Sequence, residues 1–194
     1  MDVLPIDEYL PEIISLLQAH GSLVLTALPG AGKTTRVPPG LLEASLLPAH
    51  APQILVLQPR RIAARAVAAR IAEEQGWNLG EQVGYQVRME KRLTTSTVLR
   101  IMTEGILTRQ LLDDPALEKA GAIILDEFHE RSIHSDLTLA LLRQVRQTIR
   151  PDFIDTGYVR HTQRPESRRI SQWGAGTQRA WPAVSGADRV STRN

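Results

Sequence analysis

Residues 27–35 read ALPGAGKTT and follow a short apolar run directly. Backbone N–H groups of a glycine-rich loop and of the helix after it point inward and hold phosphate oxygens. Lys33 is placed to reach the β- and γ-phosphates of a nucleotide, and the Thr34 hydroxyl to bind Mg²⁺. The usual pattern has glycine where Ala27 stands, but a methyl group at the end of a strand need not block the loop. The segment predicts a nucleotide site made of Pro29, Gly30, Ala31, Gly32, Lys33, Thr34 and Thr35.

A pair of carboxylates follows another apolar run, in AIILDEFHERS. In a parallel sheet the carboxyl ends of the strands form the edge at which ligands bind. Asp126 suits the holding of Mg²⁺, and Glu127 suits the polarisation of an attacking water. Taken alone, the pair favours a solvated strand end; beside a phosphate-binding loop, the catalytic interpretation is the stronger one.

Hydrophobic patterning predicts the elements that would position these residues. Apolar strands are predicted at 22–27, 53–58, 81–89, 94–103 and 120–127. Helices are predicted at 6–19, ended by Gly21, at 61–76, stopped by Gly76, and at 104–114 and 135–150. A further helix from Lys33 is expected to end early at Pro38 and Pro39. Strands that are apolar throughout and alternate with helices indicate an α/β domain with a mainly parallel sheet and helices on both faces.

Composition narrows the class of protein further. Cysteine is absent, which excludes disulfides and thiolate metal sites, and no apolar run is long enough to span a bilayer. With the acidic start MDVLPIDEYLPE, these features predict a cytoplasmic protein. The pI near 9.3 reflects residues 154–194, which hold 7 Arg against 3 acidic residues, so the net charge indicates little about what the domain binds.

Four motifs in order carry a family resemblance. They are ALPGAGKTT, LQPRRIAARAVAARIAEE, TEGILTRQL and DEFHERSIHSDLTLALL, and the strand VGYQVR at 83–88 also fits. Residues 1–153 resemble the first RecA-like domain of a superfamily 2 DEAH-box helicase. That group tolerates alanine at the position of Ala27, and here Phe128 stands where its name-giving motif has alanine.

The resemblance implies a RecA-like P-loop NTPase domain with ATP and Mg²⁺ as cofactors. It implies ATP binding by Lys33 and Thr34, Mg²⁺ binding by Thr34 and Asp126, and activation of water by Glu127. His129 would couple the ATP site to nucleic acid or to a second domain. The implied partner is nucleic acid, with RNA favoured over DNA, along a path lined by Arg60, Arg61, Thr103, Glu104 and Gly105.

Elementary chemistry supports that path only in part. Arg60 and Arg61 follow a predicted strand, and Thr103 precedes the start of a predicted helix, so all three residues can meet phosphates. Exposed arginines after a strand are common. Without the resemblance, a role for Arg60 and Arg61 in binding nucleic acid and a purely solvent-exposed position are equally favoured.

The resemblance ends near residue 153. The family continues with a strand carrying S-A-T, which is absent here, and with a second RecA-like domain, which is missing from this chain. The domain is therefore expected to be incomplete at its C-terminal end. A gap is expected in the centre of its sheet, because FIDTGYV (153–159) is the candidate to fill it and Asp155 and Gly157 are poor residues for a buried central strand. Residues 154–194 lack leucine, are rich in Arg, Ser, Thr, Gly and Gln, and are predicted to form a disordered or aberrant tail, as in a truncated or frameshifted product.

Three functions follow as alternatives. The first is an ATP-dependent helicase, represented by its N-terminal domain and weakly active in this form. The second is a fragment that binds ATP and Mg²⁺ without turnover. The third is another P-loop NTPase, such as a small-molecule kinase, which leaves DEFHERS and TEGIL unexplained.

Overall fold

The computed structural model describes residues 3–127, 133–160 and 169–171, and only the backbone of 133–136, 155–160 and 169–171. The helices are α1 (Leu10–His20), α2 (Lys33–Glu43), α3 (Arg61–Gln75), α4 (Glu104–Asp113) and α5 (Ile133–Thr148), and a 3-10 turn, Asp7–Tyr9, precedes α1. The strands are β1 (Ser22–Ala27), β2 (Gln53–Leu57), β3 (Val83–Val87), β4 (Glu90–Arg92), β5 (Leu99–Met102), β6 (Ala120–Leu125), β7 (Ile154–Arg160) and β8 (Arg169–Ser171).

These strands form one sheet in the order β4-β3-β5-β2-β6-β7-β1-β8. Neighbours from β3 to β1 pair in parallel, and only the outermost partners, β4 and β8, run antiparallel. The carboxyl ends of β1, β2, β5 and β6 therefore lie along one edge. The predicted α/β fold with a mainly parallel sheet is confirmed.

Strand β7 corrects the expected gap in the sheet. It lies between β6 and β1 and pairs in parallel with both, with Asp155 opposite Ser22 on one side and Ile123 on the other. A ladder is built from backbone groups, so a strand of unusual composition still satisfies the N–H and C=O groups of its neighbours. The expectation of a central gap is wrong.

Two further strands lie within the segment that is predicted to form a tail. Residues 154–160 and 169–171 pair within the sheet, while the boundary at residue 153 and the nature of residues 154–194 stay predictions. Residues 161–168 and 172–194 lie outside the described part of the chain.

The core lies on both faces of the sheet because successive strand residues point to opposite sides. Ile54 and Val56 pack with the apolar faces of α1, α2 and α3. Leu55 and Leu57 pack on the other face, against α4 and α5. Helices on both faces explain why the central strands are apolar throughout.

Helix α2 continues through Pro38 and Pro39, contrary to the prediction that they would end it. Each proline removes a backbone donor, at a cost of about 3 kcal/mol in a helix interior. Val37, both prolines and Leu41 are nevertheless buried, so tertiary packing sustains the helix. The glycine stops predicted for α1 and α3 are confirmed, since Gly21 and Gly76 adopt left-handed C-caps.

Among the described residues, no helix has the length and apolar content needed to cross a membrane.

Candidate nucleotide-binding site

The phosphate-binding loop predicted from the sequence connects β1 to α2. Gly30 and Gly32 have φ values of 75° and 93°, in the left-handed region that suits glycine. A Cβ atom on Gly32 would lie 2.8 Å from Leu4 Cδ1, whereas a Cβ on Gly30 would have no heavy atom within 4 Å. The loop is therefore closely packed at Gly32 and open at Gly30.

The N-terminal segment supports the packed side of this loop. Ile6 is buried, and its N–H donates to the Ala31 carbonyl at 3.0 Å. Arg36, buried in the first turns of α2, lies 3.6 Å from carboxylate oxygens of both Asp7 and Glu74. These contacts fix the start of α2 and hence the backbone N–H groups that face the loop.

Ala27 is the last residue of β1 and is 3% exposed. Its methyl group therefore belongs to the buried core of the sheet, which explains how alanine replaces the usual glycine here. Its carbonyl oxygen accepts a hydrogen bond of 3.0 Å from Lys33 Nζ. The ammonium group is thus folded back toward the end of β1.

Asp126 connects the ends of β6 and β2 with the first turn of α2. It follows β6, and its backbone N–H donates to the Leu57 carbonyl at the end of β2 at 3.0 Å. Its Oδ2 accepts hydrogen bonds from Thr34 Oγ1, at 2.7 Å, and from Gln58 Nε2. The structure thereby brings together two predicted site residues, Thr34 and Asp126, that are 92 positions apart in the chain.

The electrostatics of Asp126 reflect its burial. Burial raises the pKa of this carboxyl above its ordinary value, while the hydrogen bonds from Thr34 and from the Glu127 N–H lower it. The Glu127 N–H donates to Asp126 Oδ1 at 2.8 Å. A buried anionic oxygen beside Thr34 and Lys33 is an environment in which a bound cation lowers the free energy of the ionised form.

Glu127, the predicted water-activating residue, is half-buried directly after Asp126. Its φ of 52° is unusual for a residue with a side chain and costs on the order of 1 kcal/mol. Such backbone strain is concentrated at functional sites. His129, predicted to take part in coupling, lies outside the described residues.

The residues present fit ATP and Mg²⁺. A hydroxyl oxygen and a carboxylate oxygen 2.7 Å apart are hard ligands of the kind Mg²⁺ prefers. A lysine, a loop open at Gly30 and the N-terminus of an eleven-residue helix provide cationic and N–H groups for phosphates. This fit rests on chemistry and geometry, and the individual roles of the residues stay predictions.

The residues predicted for the nucleic-acid path follow the neighbouring strands β2 and β5. Arg60 is the exposed N-cap of α3, and the exposed Arg61 side chain donates to the Arg88 carbonyl at 3.2 Å. Thr103 is the N-cap of α4 but forms no side-chain capping hydrogen bond, and Glu104 and Gly105 begin that helix. All of them lie at the carboxyl edge of the sheet, and their contact with nucleic acid stays a prediction.

Gln58 is the residue of this site that sequence reasoning missed. It follows β2, is 4% exposed, and donates to the same Asp126 oxygen as Thr34. The available signal was a polar residue directly after the apolar strand QILVL, at the edge where ligands bind.

Comparison with known proteins identifies the family. The model of the flavivirus DEAD domain matches residues 17–139, more than half of the chain. The ATP-dependent RNA helicase HrpB of Escherichia coli K12 is 44% identical over 152 residues, which are 78% of this chain and 18% of that protein. The chain belongs to the DEAH-box helicase family.

Two further comparisons agree with this family. The probable ATP-dependent RNA helicase DHR2 of Saccharomyces cerevisiae is 40% identical over 151 residues, 78% of this chain and 20% of that protein. The crystal structure of the E. coli DEAH/RHA helicase HrpB superimposes with a TM-score of 0.76 at 41% identity, covering 84% of this chain and 20% of that one. The RecA-like fold is confirmed, and the chain spans about a fifth of the length of these relatives.

Proposed function

We propose that this chain is the ATP- and Mg²⁺-binding RecA-like domain of an ATP-dependent RNA helicase. The observation that carries the proposal is the 2.7 Å contact between Thr34 and Asp126. This contact brings the glycine loop, Lys33 and the acidic strand end into one site, although the two segments lie far apart in the sequence. Membership of the DEAH-box family favours this proposal over a small-molecule kinase.

Each residue of the site has a chemical task in this proposal. Lys33 exchanges its hydrogen bond with the Ala27 carbonyl for the β- and γ-phosphates of ATP. Thr34 and Asp126 would hold Mg²⁺, which would neutralise charge on the phosphates. Glu127 would orient a water for attack on the terminal phosphorus and accept a proton from it, while the bond from that phosphorus to the leaving ADP oxygen breaks. The half-buried position of Glu127 limits competition from bulk water.

RNA is the proposed nucleic-acid partner. The two curated relatives described above are named RNA helicases, one of them as probable. Exposed Arg60 and Arg61 supply positive charge beside the N-terminus of α4, where Thr103 and Gly105 present backbone and hydroxyl groups. Such contacts with the sugar–phosphate backbone give affinity without base specificity.

Weak turnover is part of the proposal for the 194-residue chain. An arginine that meets the transferring phosphoryl group is worth roughly 10³ to 10⁵ in rate. The family resemblance places the arginines that do this in a second RecA-like domain, and the chain spans about a fifth of its relatives. We therefore expect this chain to bind ATP, to hydrolyse it at a near-background rate and to separate no strands. A fragment that binds ATP and Mg²⁺ without turnover would behave in the same way.

Calorimetry and a steady-state phosphate-release assay test this proposal on the purified chain. Titration with ATP and Mg²⁺ should give saturable binding; its absence would refute the nucleotide site. RNA should bind more weakly in the Arg60→Ala and Arg61→Ala variants, with a smaller dependence on salt. Robust RNA-stimulated hydrolysis that is abolished by Glu127→Gln would support the helicase assignment and overturn the expectation of weak turnover.

A further inference from the structure

Gln58 is held rigidly at the carboxyl end of β2. Its side chain is 4% exposed, and its backbone N–H donates to the Met102 carbonyl of β5 at 2.9 Å. Its Nε2 donates to Asp126 Oδ2. Both ends of this short bridge are therefore buried, and the amide has little freedom to point elsewhere.

The hydrogen bonds to Asp126 divide the carboxylate into two halves. Oδ1 accepts from the Glu127 N–H at 2.8 Å, and Oδ2 accepts from Gln58 and from Thr34. Thr34 is itself an expected ligand of Mg²⁺, so its hydroxyl serves the cation as well as the carboxylate. Among the described residues, the Glu127 N–H and the Gln58 amide are the donors that fix the plane of the carboxylate without being expected ligands of the cation.

We infer that Gln58 is a positioning residue of the magnesium site, an inference that rests on the proposed function. It holds the Asp126 carboxylate in one orientation before Mg²⁺ arrives. A ligand whose side chain is ordered before the metal binds avoids the entropic cost of ordering it on binding. Groups that orient a metal ligand typically change metal affinity by 10- to 100-fold when they are removed.

The variant Gln58→Met keeps the length and volume of the side chain and removes its donor. We expect the Mg²⁺ concentration that half-saturates ATP binding to rise about tenfold. ATP affinity in excess EDTA should stay at the wild-type value, because the described side-chain hydrogen bond of Gln58 goes to Asp126 and not to Lys33 or the glycine loop. A loss of general fold stability would lower both affinities together, so the contrast isolates the positioning role.

Gln53→Met is the matched control, since it removes a half-buried glutamine from the opposite end of β2. Gln53 accepts from Arg100 Nη1 at 3.3 Å and has no contact with Asp126 among those described. This variant should leave both affinities unchanged. Equal Mg²⁺ dependence in wild type and Gln58→Met would overturn the inference while leaving the nucleotide site intact, whereas absence of ATP binding in the wild type would refute the proposed function itself.

The wild-type chain provides a second test that does not depend on the folding of a variant. In an ¹⁵N correlation spectrum with ATP present, Mg²⁺ should shift one Gln58 Nε2 proton, because the carboxylate that accepts it comes to serve a cation. Addition of Mg²⁺ should leave the Gln53 amide signals in place. A Gln58 signal that does not respond to Mg²⁺ while the Thr34 and Asp126 signals do would contradict the inference.

Discussion

Replacement of Lys33 by methionine separates nucleotide affinity from fold stability. The Lys33 ammonium donates a hydrogen bond to the Ala27 carbonyl, at 3.0 Å. Its loss should lower the free energy of unfolding by about 1 kcal/mol. For a chain of this size that corresponds to a fall of about 2–4 °C in Tm.

The expected effect on ATP is larger. With nucleotide bound, the same ammonium group meets charged phosphate oxygens, and a hydrogen bond to a charged group contributes about 1.5–3 kcal/mol. Lys33→Met should therefore weaken ATP–Mg²⁺ binding roughly 10- to 150-fold. ADP should lose affinity as well, whereas AMP, which lacks the β- and γ-phosphates, should bind the variant and the wild type equally.

Isothermal calorimetry measures these affinities, and thermal unfolding followed by circular dichroism measures Tm. Lys119→Met is the matched control: it removes an exposed lysine before β6, and it should change neither quantity. Equal ATP affinity of wild type and Lys33→Met, or an equal loss for AMP and ATP, would show that Lys33 does not reach the distal phosphates.

Three further predictions concern glycines, acid stability and base preference. Gly121→Ala should lower the free energy of unfolding by about 1–3 kcal/mol in urea, because its Cβ would lie 2.3 Å from the Ala51 carbonyl oxygen. A Cβ on Gly105 would meet open space, so Gly105→Ala should keep full stability. The same Gly105→Ala variant should bind RNA more weakly in a filter assay. A hydrogen bond from Arg150 lowers the pKa of Asp152. The stability that the ionised carboxylate contributes is therefore present above the ordinary pKa near 3.9 and is lost as pH falls through the lowered pKa. Asp152→Asn should destabilise the fold at pH 7, and the difference in Tm between the variant and the wild type should vanish in thermal unfolding at acid pH. The resemblance places most contacts to the base outside this chain, so ATP, GTP, CTP and UTP should compete almost equally for binding.

Local patterns predicted much of this fold. The glycine loop, the apolar strands and the helix-ending glycines each need only a few neighbouring residues, and the structure contains them close to the predicted bounds. The contact between Thr34 and Asp126 was predictable for a different reason. Both follow strands whose carboxyl ends share one edge, so the sheet brings them together across 92 residues.

The failures arose where tertiary context decides. The composition of β7 argues against a central strand, but two neighbouring strands with unpaired backbone groups stabilise it in that place. The prolines of α2 are tolerated because packing on the core outweighs helix propensity. The position of Gln58 against Asp126, and the left-handed backbone of Glu127, depend on the register of β2 and β6, which no local pattern contains.

The order of strands in the sheet also determines when each strand meets its partners as the chain is synthesised. β1 is translated first, but its partners β7 and β8 are encoded about 130 residues later, as the pairing of Ser22 with Asp155 shows. At a synthesis rate of roughly 5–20 residues per second, the apolar strand SLVLTA stays without β7 and β8 for on the order of ten seconds. During that interval the nucleotide site has not formed, so ATP cannot stabilise the chain by binding to it. An unpaired apolar strand is also prone to aggregation. Strand β1 can complete its parallel ladder only after residues 154–160 have left the ribosome.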